Sequence, residues 1–172
     1  MSCATVELNI PKEIIGQPVI WSLGRLYRVV TNLLRARISA ETAIATVSIE
    51  GSAGEVEATL NYLRCLHVID GECSGSLPES PSAAIEQPAT IAVRLRTVNP
   101  GQAAEPVLNK AARDYRVVIN IVYASLDQDE GGVVDILISG ALLEVQRTIA
   151  FLHTTGISVS PRERSVSDRG NL

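Results

Sequence analysis

Few side chains in this sequence are placed to do chemistry. Asn32 and Asn120 end two nearly identical runs, Tyr-Arg-Val-Val-Thr-Asn from Tyr27 and Tyr-Arg-Val-Val-Ile-Asn from Tyr115. An amide offers two donors and an acceptor, so it can hold the carboxylate or ammonium of a small zwitterion without a charge of its own. On the apolar parity of a strand it can equally tie down a neighbouring backbone group. General-base chemistry usually calls on histidine. The two histidines, His67 and His153, fall at or near the ends of their helices and are not equivalent between the runs, so they read as helix-end residues. No glycine-rich phosphate cradle follows a strand, and no G-x-x-x-x-G-K-[ST] loop occurs. Catalytic residues, metal ligands and cofactors are therefore expected to be none, and the chain is expected not to be an enzyme.

The three cysteines, Cys3, Cys65 and Cys73, are odd in number and form no C-x-x-C pair. That argues against a disulfide framework and against a zinc or iron–sulfur site. Cys65 is expected as a small core residue, with Cys3 and Cys73 exposed. A net charge of -4 and a pI near 5.2 speak against nucleic acid as a partner. Apolar runs fall short of the roughly 20 residues that span a bilayer, and Pro11 and Pro18 interrupt the start, so no membrane insertion and a cytoplasmic location are expected.

The repeated run extends in both directions. At an offset of 88, Pro18 meets Pro106, Val19 meets Val107, Arg25 meets Arg113, and Ala36 meets Ala124. After a one-residue insertion the offset is 89, matching Gly51 with Gly140, Glu55 with Glu144, Thr59 with Thr148 and Leu63 with Leu152. Such register marks an internal duplication.

Each copy shows the same change of apolar period. Val6, Leu8 and Ile10 alternate as a strand, and Pro18 opens a helix striped by Val19, Leu23 and Leu26. A second strand from Val30 puts Asn32, Leu34, Ala36 and Ile38 on one face and Leu33, Arg35 and Arg37 on the other. A hairpin at 39–41 leads to a third strand; Ser52 and Glu55 form a capping box before a second helix. Val68 and Ile69 close the unit. The second copy repeats this order: a strand with Ile91, Val93 and Leu95, a helix at about 103–114, a strand at 117–126, and a closing strand at 157–159. The expected fold class is α+β, two tandem ferredoxin-like β-α-β-β-α-β units with antiparallel sheets, packed with pseudo-twofold symmetry. The units are 4–70 and 90–160, joined by a flexible linker at 71–89 and followed by a frayed tail at 161–172.

A unit of about 70 residues buries only about 60% of its unfolded surface, so the copies should pack together. Edge-to-edge and face-to-face contact are both open. So is pairing between chains, which gives a homodimer. The sheet face away from the helices should carry Arg35, Arg37, Arg94, Arg96, Tyr123 and Asp135, a mixed surface suited to a protein partner. The third strands put no aromatic on that face, unlike RNA-recognition sheets.

The Asn-Leu-Leu of residues 32–34 and the Asn-Ile-Val of 120–122 follow the first helix of each unit, and Ala-Phe-Leu-His-Thr-Thr-Gly-Ile-Ser-Val closes the second. In this context the chain resembles the NIL domain, an ACT-like regulatory domain of methionine-importer ATPase subunits, named for an Asn-Ile-Leu motif. Neither copy keeps the full wording. The resemblance implies a small-molecule sensor whose paired domains bind an amino acid near the motif asparagines, here Asn32 and Asn120. An adaptor that kept the fold without a ligand is the alternative.

Overall fold

A computed structural model of the chain describes residues 1–99 and 106–162. Its elements are β1 (Ser2–Asn9), α1 (Val19–Leu26), β2 (Val30–Ile38), β3 (Ala43–Gly51), α2 (Ala53–Cys65), β4 (Ala89–Thr97), α3 (Val107–Asp114), β5 (Val117–Asp127), β6 (Gly131–Gly140), α4 (Leu142–His153) and β7 (Ser158–Pro161). Among the described residues the architecture is α+β: one antiparallel sheet of seven strands in the order β1-β3-β2-β5-β6-β4-β7, with four α-helices. The expected start of α3 at 103–105, and the tail beyond 162, lie outside the described residues.

The repeated residues build the same local devices twice. Pro18 and Pro106 stand just before α1 and α3, where a missing N–H costs nothing. Tyr27 packs on Tyr62 with ring centroids 5.8 Å apart, and Tyr115 packs on Phe151 at 5.5 Å. The next residue turns the chain into the strand: the Arg28 N–H donates to the Glu55 carboxylate at 2.9 Å, and the Arg116 N–H to Glu144 at 3.1 Å. Val29 and Val117 then enter the core with no exposed surface. Gly51 and Gly140 pass so close that a Cβ would stand 3.2 and 3.1 Å from the Arg28 and Arg116 carbonyl oxygens. The threonines of the second helices, Thr59 and Thr148, each donate back to the carbonyl four residues earlier. Ser52 caps α2 by accepting from the Glu55 N–H.

The copies join edge to edge. β2 pairs antiparallel with β5 from Arg35 opposite Asp127 to Ile38 opposite Ala124. Ala36 and Ala124 are each 2% exposed on this ladder, and α1 and α3 pack together, with Leu23 of α1 and Ala111 and Ala112 of α3 fully buried. A continuous sheet satisfies the two inner edges that separate units would leave open.

Four expectations need correction. Leu34 and Val122 are extra residues, because the register shifts between Leu33 and Arg35 and between Ile121 and Tyr123. Each bulge reverses side-chain parity. Thr31 and Leu33 are buried in phase with Ala36 and Ile38, so Asn32 falls in the row of Arg35 and Arg37 instead of the apolar row.

Val68 and Ile69 do not form a strand; only the Val68 carbonyl reaches β1, accepting from the Asn9 N–H at 2.8 Å. Cys65 and Cys73 form a disulfide, with Cα atoms 4.6 Å apart, because a reversal through His67 (φ 58) and Gly71 (φ 125) brings the chain back to the end of α2. Spacing alone does not reveal a reversal that tight. The linker is also held in place: Ser74 exchanges two hydrogen bonds with the Asn61 amide, residues Pro81–Ala84 make a 3-10 turn against α1, and Ile85 is buried in the core cluster. A buried apolar anchor cancels the freedom that its Gly, Ser and Pro content suggested.

Candidate functional site

Among the described residues, a pair of clefts beside the seam is related by the repeat. The larger, about 60 Å³, is lined by Thr31, Asn32 and Leu33 of β2, by Pro106, Val107, Leu108 and Asn109 at the start of α3, and by Leu126. The smaller, about 20 Å³, is lined by Ile119, Asn120 and Ile121 of β5, by Pro18, Val19, Ile20 and Trp21 at the start of α1, and by Ile38. Moving 88 positions carries these eight residues of the first lining onto the eight of the second, while Ile20, Trp21, Ile119 and Ile121 line both clefts. Each asparagine therefore belongs to one copy while the helix start in its cleft belongs to the other.

The motif letters now have places. Asn32 pairs with Ser48 in the ladder and Asn120 with Leu137. The middle residue, Leu33 or Ile121, faces its cleft, and the third, Leu34 or Val122, is the bulge. The two asparagines do not meet. The β2–β5 ladder lies between them, and each stands beyond one of its ends. Asn120 donates from Nδ2 to the Gly16 carbonyl at 2.9 Å, which ties the loop ahead of α1 to the other copy.

Two residues that the sequence did not single out as polar contacts stand where the copies differ, Trp21 in α1 and Asn109 in α3. Asn109 is 6% exposed and donates from Nδ2 to the Thr31 hydroxyl at 3.0 Å. Trp21 is 5% exposed, lines both clefts, and its Nε1–H has no partner among the described residues. The bulky indole starts the helix of the narrower cleft and the small amide that of the wider one. Trp21 and Asn109 stand 88 positions apart in the sequence, and the consequence of that difference depends on which helix faces which strand.

Neither lining contains a titratable group, so the clefts offer apolar walls and amide or hydroxyl hydrogen bonds. The groups whose pKa is displaced lie elsewhere. Burial pushes the Tyr27 and Tyr62 phenols up. The hydrogen bond from the Arg116 N–H, and after it Arg147, hold the Glu144 carboxyl below its ordinary range. His153 ends α4 and His67 lies two residues past α2. Among the described residues no group of three His, Cys, Asp or Glu is gathered to hold a metal. On the open sheet face Arg35, Arg37, Arg96 and Tyr123 are exposed, while Asp135 is buried beneath a bidentate pair with Arg94. No helix among the described residues is long and apolar enough to cross a membrane.

One unit written twice, with a cleft on each side of the join, defines a tandem-domain protein. A family model, the NIL domain, matches residues 4–69 and again 93–161. The chain belongs to the NIL domain family, a family of regulatory domains, and carries two copies in tandem. No curated protein matches it. Among solved structures it is similar to a microcompartments protein from Desulfitobacterium hafniense DCB, at 12% identity over 97% of each chain, with a TM-score of 0.34.

Proposed function

We propose that this chain is a non-enzymatic small-molecule sensor that binds an amino acid, with methionine the first candidate, at the clefts shared by its two copies. In this reading residues 4–70 and 90–160 are ferredoxin-like units related by a pseudo-twofold axis through the β2–β5 seam. The observation that carries it is the Asn32 cleft: an apolar hollow with an amide at its wall, built by β2 of one copy and the start of α3 of the other. At about 60 Å³ it has room for roughly four waters, which suits the end of an apolar side chain. The zwitterionic head then stays near the mouth, where Asn32 or Asn120 bonds it. Because both copies wall each cleft, a ligand there stabilises the seam, and that coupling is what a regulatory module needs.

A melting scan against the twenty common amino acids tests this. Binding should stabilise the fold by about 2.7 kcal/mol at a hundredfold excess over Kd. Asn32→Ala and Asn120→Ala should each lower the ligand stoichiometry while the fold persists. Flat curves throughout would favour the adaptor reading. That reading draws on the uncovered sheet face, where Ile44 and Tyr123 are each 40% exposed near Arg35 and Arg37. A cytoplasmic location belongs to the proposal as well. The Cys65–Cys73 disulfide stands against it, since such bonds persist mainly in oxidising compartments, and cell fractionation would decide.

A further inference from the structure

The flank of β1 is open where the same flank of β4 is covered. In the second copy β7 lies antiparallel along β4, from Arg96 opposite Ser158 to Val93 opposite Pro161. In the first copy the corresponding stretch gives β1 one backbone bond, from the Asn9 N–H to the Val68 carbonyl. Beyond it the chain is held at α2 by the Cys65–Cys73 disulfide and the Asn61–Ser74 amide bonds.

Parity shows which groups face the open flank. The Ile10 N–H donates to the carbonyl of Ala43, the first residue of β3, whereas the Asn9 N–H donates away from β3. The ladder from Ser2 opposite Gly51 to Asn9 opposite Ile44 is unbroken, so direction alternates along it. The N–H and C=O groups of Cys3, Thr5 and Glu7 therefore point outward. Ala4 and Val6 form the helix-side row and are half-buried against the core. Edge strands are normally guarded by lysine, proline or a bulge. Ser2–Asn9 contains no basic residue, no proline and no bulge, and its one charge is Glu7.

We propose that β1 is a homodimer edge, and that its occupant is β1 of a second copy of this chain. The pairing of β7 with β4 shows that this flank accepts an antiparallel strand. β1 is also self-complementary. With Thr5 on the twofold axis, Val6 meets the partner's Ala4, the half-buried apolar row is covered on both sides, and Glu7 meets the partner's Cys3, so no like charges are opposed. A twofold perpendicular to the sheet keeps all helices on one side and repeats the antiparallel edge join already made by β2 and β5. The paired core from Cys3 to Glu7 is about as short as that join, so the dimer is weak and dependent on concentration.

Size-exclusion chromatography with light scattering, from about 1 to about 200 μM protein, tests the edge. Thr5→Pro removes an outward N–H and no bond to β3, and Thr5→Lys keeps the backbone but sets a guard charge on the axis. The wild type should move from monomer to dimer with concentration. Both variants should associate at least about tenfold more weakly while melting near the wild-type temperature; if the proline variant fails to fold, the lysine variant decides. A wild type that stays monomeric throughout, or a dimer that survives in folded variants, overturns the proposal.

Discussion

Asn109 of α3 donates from its amide to the hydroxyl of Thr31 on β2 at 3.0 Å, a buried polar contact between the two copies. The same Nδ2 lies 2.6 Å from where a Cβ on Gly24 of α1 would stand, so one side chain fixes both the helix crossing and the strand beneath it.

Asn109→Ala should lower unfolding free energy by about 1–3 kcal/mol, because the Thr31 hydroxyl loses its donor in a buried site. Gly24→Ala should also destabilise, although alanine favours a helix by about 0.8–1 kcal/mol over glycine. Combining the two should restore most of the Gly24→Ala loss. Additive losses in a urea double-mutant cycle would show that the close approach does not matter.

The ion pairs should divide by burial. The Asp135 side chain is 2% exposed and holds Arg94 through two bonds of 2.7 and 2.8 Å, with Arg162 at 3.4 Å. Arg94→Met should cost about 3 kcal/mol, the low end for a broken buried pair, since Arg94 is itself 40% exposed and Arg162 remains. Arg35→Met, which breaks the pair with Asp127 across the seam, should cost under about 1 kcal/mol, because those side chains are 59% and 34% exposed. Equal losses in chemical denaturation would contradict a seam held by its ladder and core.

Acid and alkali should act on opposite copies. Glu144 has its folded pKa lowered by the Arg116 N–H and Arg147, so its contribution is present above the ordinary value of 4.5 and lost as pH falls through the folded pKa. Glu144→Gln should flatten the acid limb of the melting curve. Tyr62 is raised by burial, so its contribution is present below 10.0 and lost as pH rises through the folded pKa. Tyr62→Phe, which copies Phe151 at the equivalent place, should flatten the alkaline limb. Limbs unchanged by either substitution would remove these groups from the account.

Reduction should loosen the first copy. Cys65 and Cys73 are separated by 8 positions, so opening their bond releases a short loop and should cost about 2–3 kcal/mol. Thermal melts with and without dithiothreitol, compared with Cys65→Ser, read that loss; no difference would mean that the Asn61–Ser74 bonds suffice.

The sequence by itself determined the duplication, the order of most elements and the devices inside each copy. Those devices are local: proline ahead of a helix, Ser52 capping Glu55, and residues placed by helix or strand period. Tertiary structure decided the rest. Leu33 and Leu34 are both apolar, so alternation could not show which one bulges, and Asn32 changed rows with that choice. The edge joining the copies, the cleft opposite each asparagine and the Asn109–Thr31 bond depend on residues about 80–100 positions apart meeting across β2 and β5. No local period records such meetings, because strand register and edge choice are set by what the packed faces bury together.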